Sequence, residues 1–236
     1  ELINNKIDIA VHSLKDIPSE NTKGLVLKSF LKRNYPNEVL ISNGNLSFKN
    51  LKKNSIVGTS SPRREFQIRL KRPDLIIKLI RGNIDTRISM LRNKNYDAII
   101  LAKAGISSLN LENLISEEFH CREIVPSAGQ GIIALQAREK DYNILEILEK
   151  INHPNTEIMG KCEREVLKIL GGDCNTAIGV NSKIENQNIS IIAELLSVKG
   201  NNRYFCEETG EINMYLEIAK KVAGYLKTES NGDYKL

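Results

Sequence analysis

Apolar residues along this chain come in short runs cut by polar turns, and strand-like runs alternate with helical periods. Ile7-Asp8-Ile9-Ala10-Val11-His12 reads as a buried strand. Ser13-Leu14-Lys15-Asp16-Ile17-Pro18 closes it in a polar turn, because Pro18 cannot continue a ladder or sit easily inside a helix. Leu25 to Leu31 is a second apolar run, followed by a connector at Arg33-Asn34-Tyr35-Pro36-Asn37. Ser55-Ile56-Val57-Gly58 leads to Thr59-Ser60-Ser61-Pro62, where a serine before a proline starts a helix. That helix runs through Arg64, Phe66 and Leu70 and stops before Pro73. Leu75 to Ile80 is a strand, Ile84, Ile88 and Leu91 share a helix face, and Tyr96 to Ala102 is another strand. The alternation predicts an α/β layer structure with mostly parallel strands.

Ser127-Ala128-Gly129-Gln130-Gly131 is a glycine turn opening onto the apolar run 132–136, and Ile144, Leu148 and Ile151 lie in register on the helix after it. Asn152-His153-Pro154-Asn155 reads as a second boundary. Beyond it Ile158, Cys162, Val166 and Ile169 make a helical stripe that two glycines, Gly171 and Gly172, bring to an end. Two or three strands lie between Ile178 and Cys206, and Ile212, Leu216, Ala219, Ala223 and Leu226 form an amphipathic helix. This last block predicts a small α+β domain.

Composition narrows the class without choosing a function. The 236 residues are 41% hydrophobic and 27% charged, as in an ordinary soluble globular protein, and no run approaches the length of a transmembrane helix. The net charge of +5 favours an anionic partner. Cys121, Cys162, Cys174 and Cys206 are widely spaced with no CxxC pair, which argues for a reducing compartment and against a zinc site or disulfide framework. Aromatics at 5%, no tryptophan, no GxxxxGK[ST] loop and no third glycine after Gly129-Gln130-Gly131 leave little support for nucleic-acid or nucleotide chemistry. His12, His120 and His153 are too scattered to suggest a metal or a triad.

Three features point to chemistry. Between Arg63 and Lys94 stand ten basic residues against three acidic ones. A solvated basic face would account for most of that run. Arg63 and Arg64 in the first turn after Ser61, and Arg81 and Arg87 around the next strand-to-helix turn, oppose the helix dipole, which suits an anion held at those helix starts. Carboxylates, phosphates and nucleic acid would all suit such a site, nucleic acid least well. Asp16, beside Lys15, directly follows a strand, where ligands of open α/β sheets bind; stabilising the turn before Pro18 is an equally good account of it. Cys174, in Gly171-Gly172-Asp173-Cys174-Asn175, combines glycine flexibility with a loop position, whereas Cys162 on the apolar stripe reads as packing.

Together these segments resemble the porphobilinogen deaminase family. The resemblance is carried by Asp8 to Pro18, Val57 to Arg64, Leu79-Ile80-Arg81-Gly82-Asn83 with Thr86-Arg87, Pro126 to Gly131, and the Cys174 loop, in the family's order and spacing. It implies two lobes like those of type II periplasmic binding proteins, with the active cleft between them, plus a small C-terminal α+β domain. Domain 1 would be residues 1–33 and 132–150, domain 2 residues 37–126, and the cofactor-carrying domain residues 154–236. Cys174 would hold a dipyrromethane cofactor through a thioether bond. Four porphobilinogen molecules would be joined to it head to tail with loss of ammonia, each as a cationic azafulvene attacked by the terminal ring. Hydrolysis would release hydroxymethylbilane and leave the primer in place.

The same resemblance implies that Asp16 stabilises developing positive charge as the catalytic residue. Ser13, Lys15, Thr59, Ser60, Ser61, Arg63, Arg64, Arg81, Gly82, Arg87 and Gln130 would hold cofactor and substrate. Arginine suits this task because its fork pairs with carboxylates two bonds at a time. Expected partners are porphobilinogen and the growing oligopyrrole, with no metal, nucleic acid or membrane, in a cytoplasmic or alternatively plastid monomer. A further N-terminal segment, with the first strand and helix of domain 1, is expected ahead of Glu1. Ala177 stands where a proline is usual and Leu114 where many relatives have an arginine. The alternative reading is a non-catalytic anion-binding protein of the periplasmic-binding type.

Overall fold

In the computed structural model, which describes residues 1–20, 22–171 and 176–234, the chain opens with β1 (Ala10–Ser13) and β2 (Leu25–Phe30). After a connector come β3 (Glu38–Ser42), β4 (Ile56–Gly58), α1 (Pro62–Lys71), β5 (Ile76–Lys78), α2 (Ile84–Arg92), β6 (Ala98–Ala102), α3 (Lys103–Ser107) and the short β7 (Glu117–Glu118). The chain then returns through β8 (Ile133–Arg138) and α4 (Tyr142–Lys150). It ends with α5 (Pro154–Leu170), β9 (Ile178–Glu185), β10 (Asn188–Leu196), β11 (Arg203–Glu211) and α6 (Tyr215–Ser230). The helix starts follow local chemistry. The Ser61 hydroxyl accepts from the Arg64 amide with Pro62 in the first turn, and the Asn83 side chain accepts from the Thr86 amide at 2.9 Å. Gly171, left-handed at φ 66°, closes α5.

Three sheets result, in the orders β1-β8-β2, β5-β4-β6-β3-β7 and β11-β10-β9. The expected class holds: two α/β lobes and a small α+β domain. The expectation of mostly parallel strands does not, since only β4 with β5 and β4 with β6 pair parallel among the described residues. The reason is the crossing of the chain between lobes. β1, β4 and β6 run toward the cleft between the lobes, whereas β3 and β8 arrive from the opposite lobe and therefore start at the cleft. They enter their sheets antiparallel, β3 against β6 and β8 against β1 and β2.

Strand alternation builds a core on each face of the second sheet. Leu40, Val57 and Ile100 pack with Phe48, Leu51 and Ile68, while Val39, Ile41, Ile99 and Leu101 pack with Ile80, Ile88, Leu91 and Ile106. The α+β domain has its own core, where Cys162, Val166 and Leu170 of α5 meet Val180, Ile191, Ala193 and Ala219.

The crossovers are tied to each other and to that domain. Gly131, at φ 80°, comes so close to the Asn34 and Tyr35 carbonyls that a Cβ would lie 2.8 Å from each. The Asn34 amide donates to the Gly131 carbonyl at 2.8 Å. The fully buried Glu163 of α5 receives the Arg33 guanidinium at 2.5 Å, the Gly129 amide at 2.6 Å and the Ser182 amide at 2.7 Å. One carboxylate thus joins both crossovers to the third domain, fixing where the three units meet.

Candidate active site

The strand ends at the lobe junction enclose two cavities. The first, about 300 Å³, is lined by Ser13 at the end of β1, Arg64, Gly82, Arg87 and Gln130, with Lys15 beside them. The second, about 360 Å³, is lined by Asp16, Ser61, Arg63, Ser127 and Thr176, again with Lys15. Lys15 is therefore the wall common to both. The first cavity is bounded by three cationic side chains, Lys15, Arg64 and Arg87.

The charges are not loose. Glu38, at the start of β3 and completely buried, takes the Arg63 guanidinium at 2.6 Å and that of Arg64 at 2.8 Å. Burial alone would raise its carboxyl pKa, but the fields and hydrogen bonds of Arg64 and Arg63 outweigh it and hold the group at about 2. Arg63 also donates to the Val125 carbonyl at 2.6 Å. Burial lowers its pKa more than Glu38 raises it, and from so high a starting value the guanidinium stays charged near neutrality. Arg64 donates to the Ile100 carbonyl at 3.3 Å, and its Nε is buried without a hydrogen-bond partner.

Lys15 reaches the Gln130 side-chain oxygen at 3.5 Å, while the Gln130 amide nitrogen donates to the Pro36 carbonyl at 2.7 Å. Burial, then the Arg64 charge, lower the Lys15 pKa, with Glu38 and Asp16 partly offsetting them. Arg87 is lowered in the same way, by burial and then by Arg64, and its Nε donates to the Gly82 carbonyl at 2.8 Å. Lys15, Arg63, Arg64 and Arg87 against Glu38 and Asp16 leave this junction with an excess of two positive charges.

Residues 1–146 match the family model described as porphobilinogen deaminase, dipyromethane cofactor binding domain, and residues 158–228 match porphobilinogen deaminase, C-terminal domain. The chain belongs to the porphobilinogen deaminase family. It is 39% identical over 204 residues to the porphobilinogen deaminase of Syntrophomonas wolfei, covering 86% of this chain and 67% of that protein. It is 38% identical over 232 residues to that of Coxiella burnetii, covering 98% of this chain and 75% of the relative. A solved structure, the arginine-specific periplasmic binding protein of Salmonella typhimurium, aligns at 16% identity with a TM-score of 0.38, over 64% of this chain and 66% of that one.

Ser13, Lys15, Arg64, Gly82, Arg87 and Gln130 meet in the first cavity. Lys15, Asp16, Ser61 and Arg63 meet in the second. Three of the residues expected in the site line neither. Thr59 is buried with its hydroxyl accepting from the Ser61 amide, and Ser60 and Arg81 are exposed. Cys174 lies outside the described residues; Thr176, two positions on, lines the cavity that contains Asp16. Ala177 is buried and its carbonyl accepts from the Leu196 amide, and Leu114 packs against the core beneath α2.

The other thiols are not poised to react. Burial raises the pKa of Cys162 and Cys206, and raises that of Cys121 to about 11. His12 pairs with Gln136 across β1 and β8, and His153 caps α5. Among the described residues no group of His, Cys, Asp and Glu could hold a metal ion, and no helix is long and apolar enough to cross a membrane. Sequence reading missed Glu38, Glu163 and Arg164. Glu38 could have been noticed as a charge opening an otherwise apolar strand.

Proposed function

We propose that this chain performs the hydroxymethylbilane synthase reaction, joining porphobilinogen head to tail onto a dipyrromethane primer held by Cys174. Family membership supports the reaction, and one observation supports the site: Lys15, Arg64 and Arg87 line one cavity with no carboxylate among its described lining residues. That concentration of positive charge calls for an anion. The acetate and propionate side chains of pyrroles answer that need. The residues therefore fit the primer and its extension.

Arg63, Ser61 and Lys15 would hold the primer carboxylates in the cavity next to Thr176. Arg64, Arg87 and Lys15 would hold those of the incoming pyrrole. When bound, the primer supplies the ring carbon to which each new pyrrole is joined. The protein's part is electrostatic and positional. Fixed guanidinium forks orient the carboxylates. Asp16, exposed at the mouth of the second cavity, places a carboxylate where the substrate becomes positively charged as ammonia departs. Lys15, its pKa lowered and shared by both cavities, binds whichever ring carboxylate passes.

Incubation of the protein with porphobilinogen tests this reading. One ammonia should be released for each porphobilinogen consumed, with hydroxymethylbilane accumulating. Binding of porphobilinogen without ammonia release would favour a binding protein and overturn the proposal.

A further inference from the structure

Arg164 of α5 is buried, and its hydrogen bonds go to the main chain of the segment after Asp16. One terminal nitrogen donates to the Ile17 carbonyl at 3.2 Å, and the other to those of Pro18 at 2.8 Å and Ser19 at 3.3 Å. Burial lowers its pKa. A buried guanidinium satisfied by carbonyl dipoles is a costly arrangement. Its planar fork suits three consecutive carbonyls in a way a lysine ammonium does not.

The rest of that helix face addresses the same turn. Gly160 lies so close to lobe 1 that a Cβ there would come 2.9 Å from the Leu14 side chain. Leu14 opens the single helical turn, Leu14–Asp16, that carries the proposed catalytic carboxylate. Leu167 lines the cavity with Asp16. Positions 160, 164 and 167 recur at helical spacing, so they share one face. One face of α5 thus touches the turn before Asp16, grips the chain after it and walls the cavity in front of it. The same helix ends at Leu170, four residues before Cys174.

We infer that Arg164 is a positioning residue for the reaction: through it the helix leading to Cys174 sets where Asp16 stands. This rests on the role proposed for Asp16. Placement errors of the order of an ångström cost about 100-fold in rate. In Arg164→Gln, kcat measured per primer-loaded molecule should therefore fall about 100-fold, while KM for porphobilinogen stays within about twofold, because Arg63, Arg64 and Arg87 are untouched. Arg164→Lys should recover part of the loss. Hydrogen exchange of the Ile17, Ser19 and Glu20 amides should quicken in Arg164→Gln relative to those of β1.

A role confined to folding predicts something else: less soluble or less primer-loaded protein, with unchanged kcat in the loaded fraction. That result would overturn the inference, as would unaltered exchange at Ile17, Ser19 and Glu20. Asp16→Ala run in parallel separates the two ideas. If it abolishes turnover while Arg164→Gln does not, only the positioning role fails; if Asp16→Ala turns over normally, the reading beneath it fails.

Discussion

Asp16→Ala should lose turnover of porphobilinogen by about 100-fold or more, whereas Asp16→Glu should retain a measurable fraction. The carboxylate lines the second cavity with Ser61, Lys15 and Arg63, and the positive charges of Lys15 and Arg63 would otherwise disfavour a cation there. Carboxylate-bearing substrates need those cations for binding, and a transition state that loses ammonia needs a negative charge at the ring. In the role proposed for it, Asp16 answers the second need without weakening the first. The glutamate variant keeps the charge and misplaces it by one methylene, so kcat suffers and KM changes little. Steady-state kinetics on primer-loaded protein check the result. An alanine variant with unchanged kcat would remove Asp16 from the mechanism.

Glu38→Ala should have the largest effect on stability. It leaves Arg63 and Arg64 buried side by side without their shared counter-charge, a change that costs about 3–5 kcal/mol. The effect carries a pH signature. The folded carboxyl sits at about 2 against an ordinary 4.5, so the unfolded chain binds this proton more readily than the folded one. Its contribution is full above the unfolded value and is lost as pH falls from 4.5 toward 2. The amount is on the order of 3 kcal/mol at 1.36 kcal/mol per unit. Urea unfolding of the protein and the variant at neutral pH and again near pH 3 should show the gap between them narrowing. A gap of equal size at both would mean that the ion pair is not what holds Glu38 ionised.

Much of this architecture can be read along the chain because its signals are local. Ser61 and Asn83 cap helices where the polar residues before a helical period say they should. Gly171 ends α5 where the glycines interrupt the stripe. Of the four arginines at helix starts, Arg63 and Arg64 share a buried carboxylate, whereas Arg81 is exposed and Arg87 bonds the Gly82 carbonyl. What lay out of reach depends on distant pairings. Nothing local in Glu38 says that it meets residues twenty-five positions further on. The first anion that Arg63 and Arg64 find is therefore the chain's own, and the sequence pattern could not separate that partner from a ligand. Strand direction was misjudged for a similar reason: alternation of strand and helix does not record that β3 and β8 come from the opposite lobe. Arg164 was hidden because one charge beside an apolar stripe looks like a solvated side chain until the Ile17–Ser19 segment is seen against it.

The central claim is that this protein carries its own pyrrole primer on Cys174, and the mass of the intact, freshly purified protein tests it most directly. The protein should be heavier than its sequence by two linked pyrrole units, and Cys174→Ser should have the bare sequence mass. An unmodified mass for the protein with its cysteine intact would contradict the account.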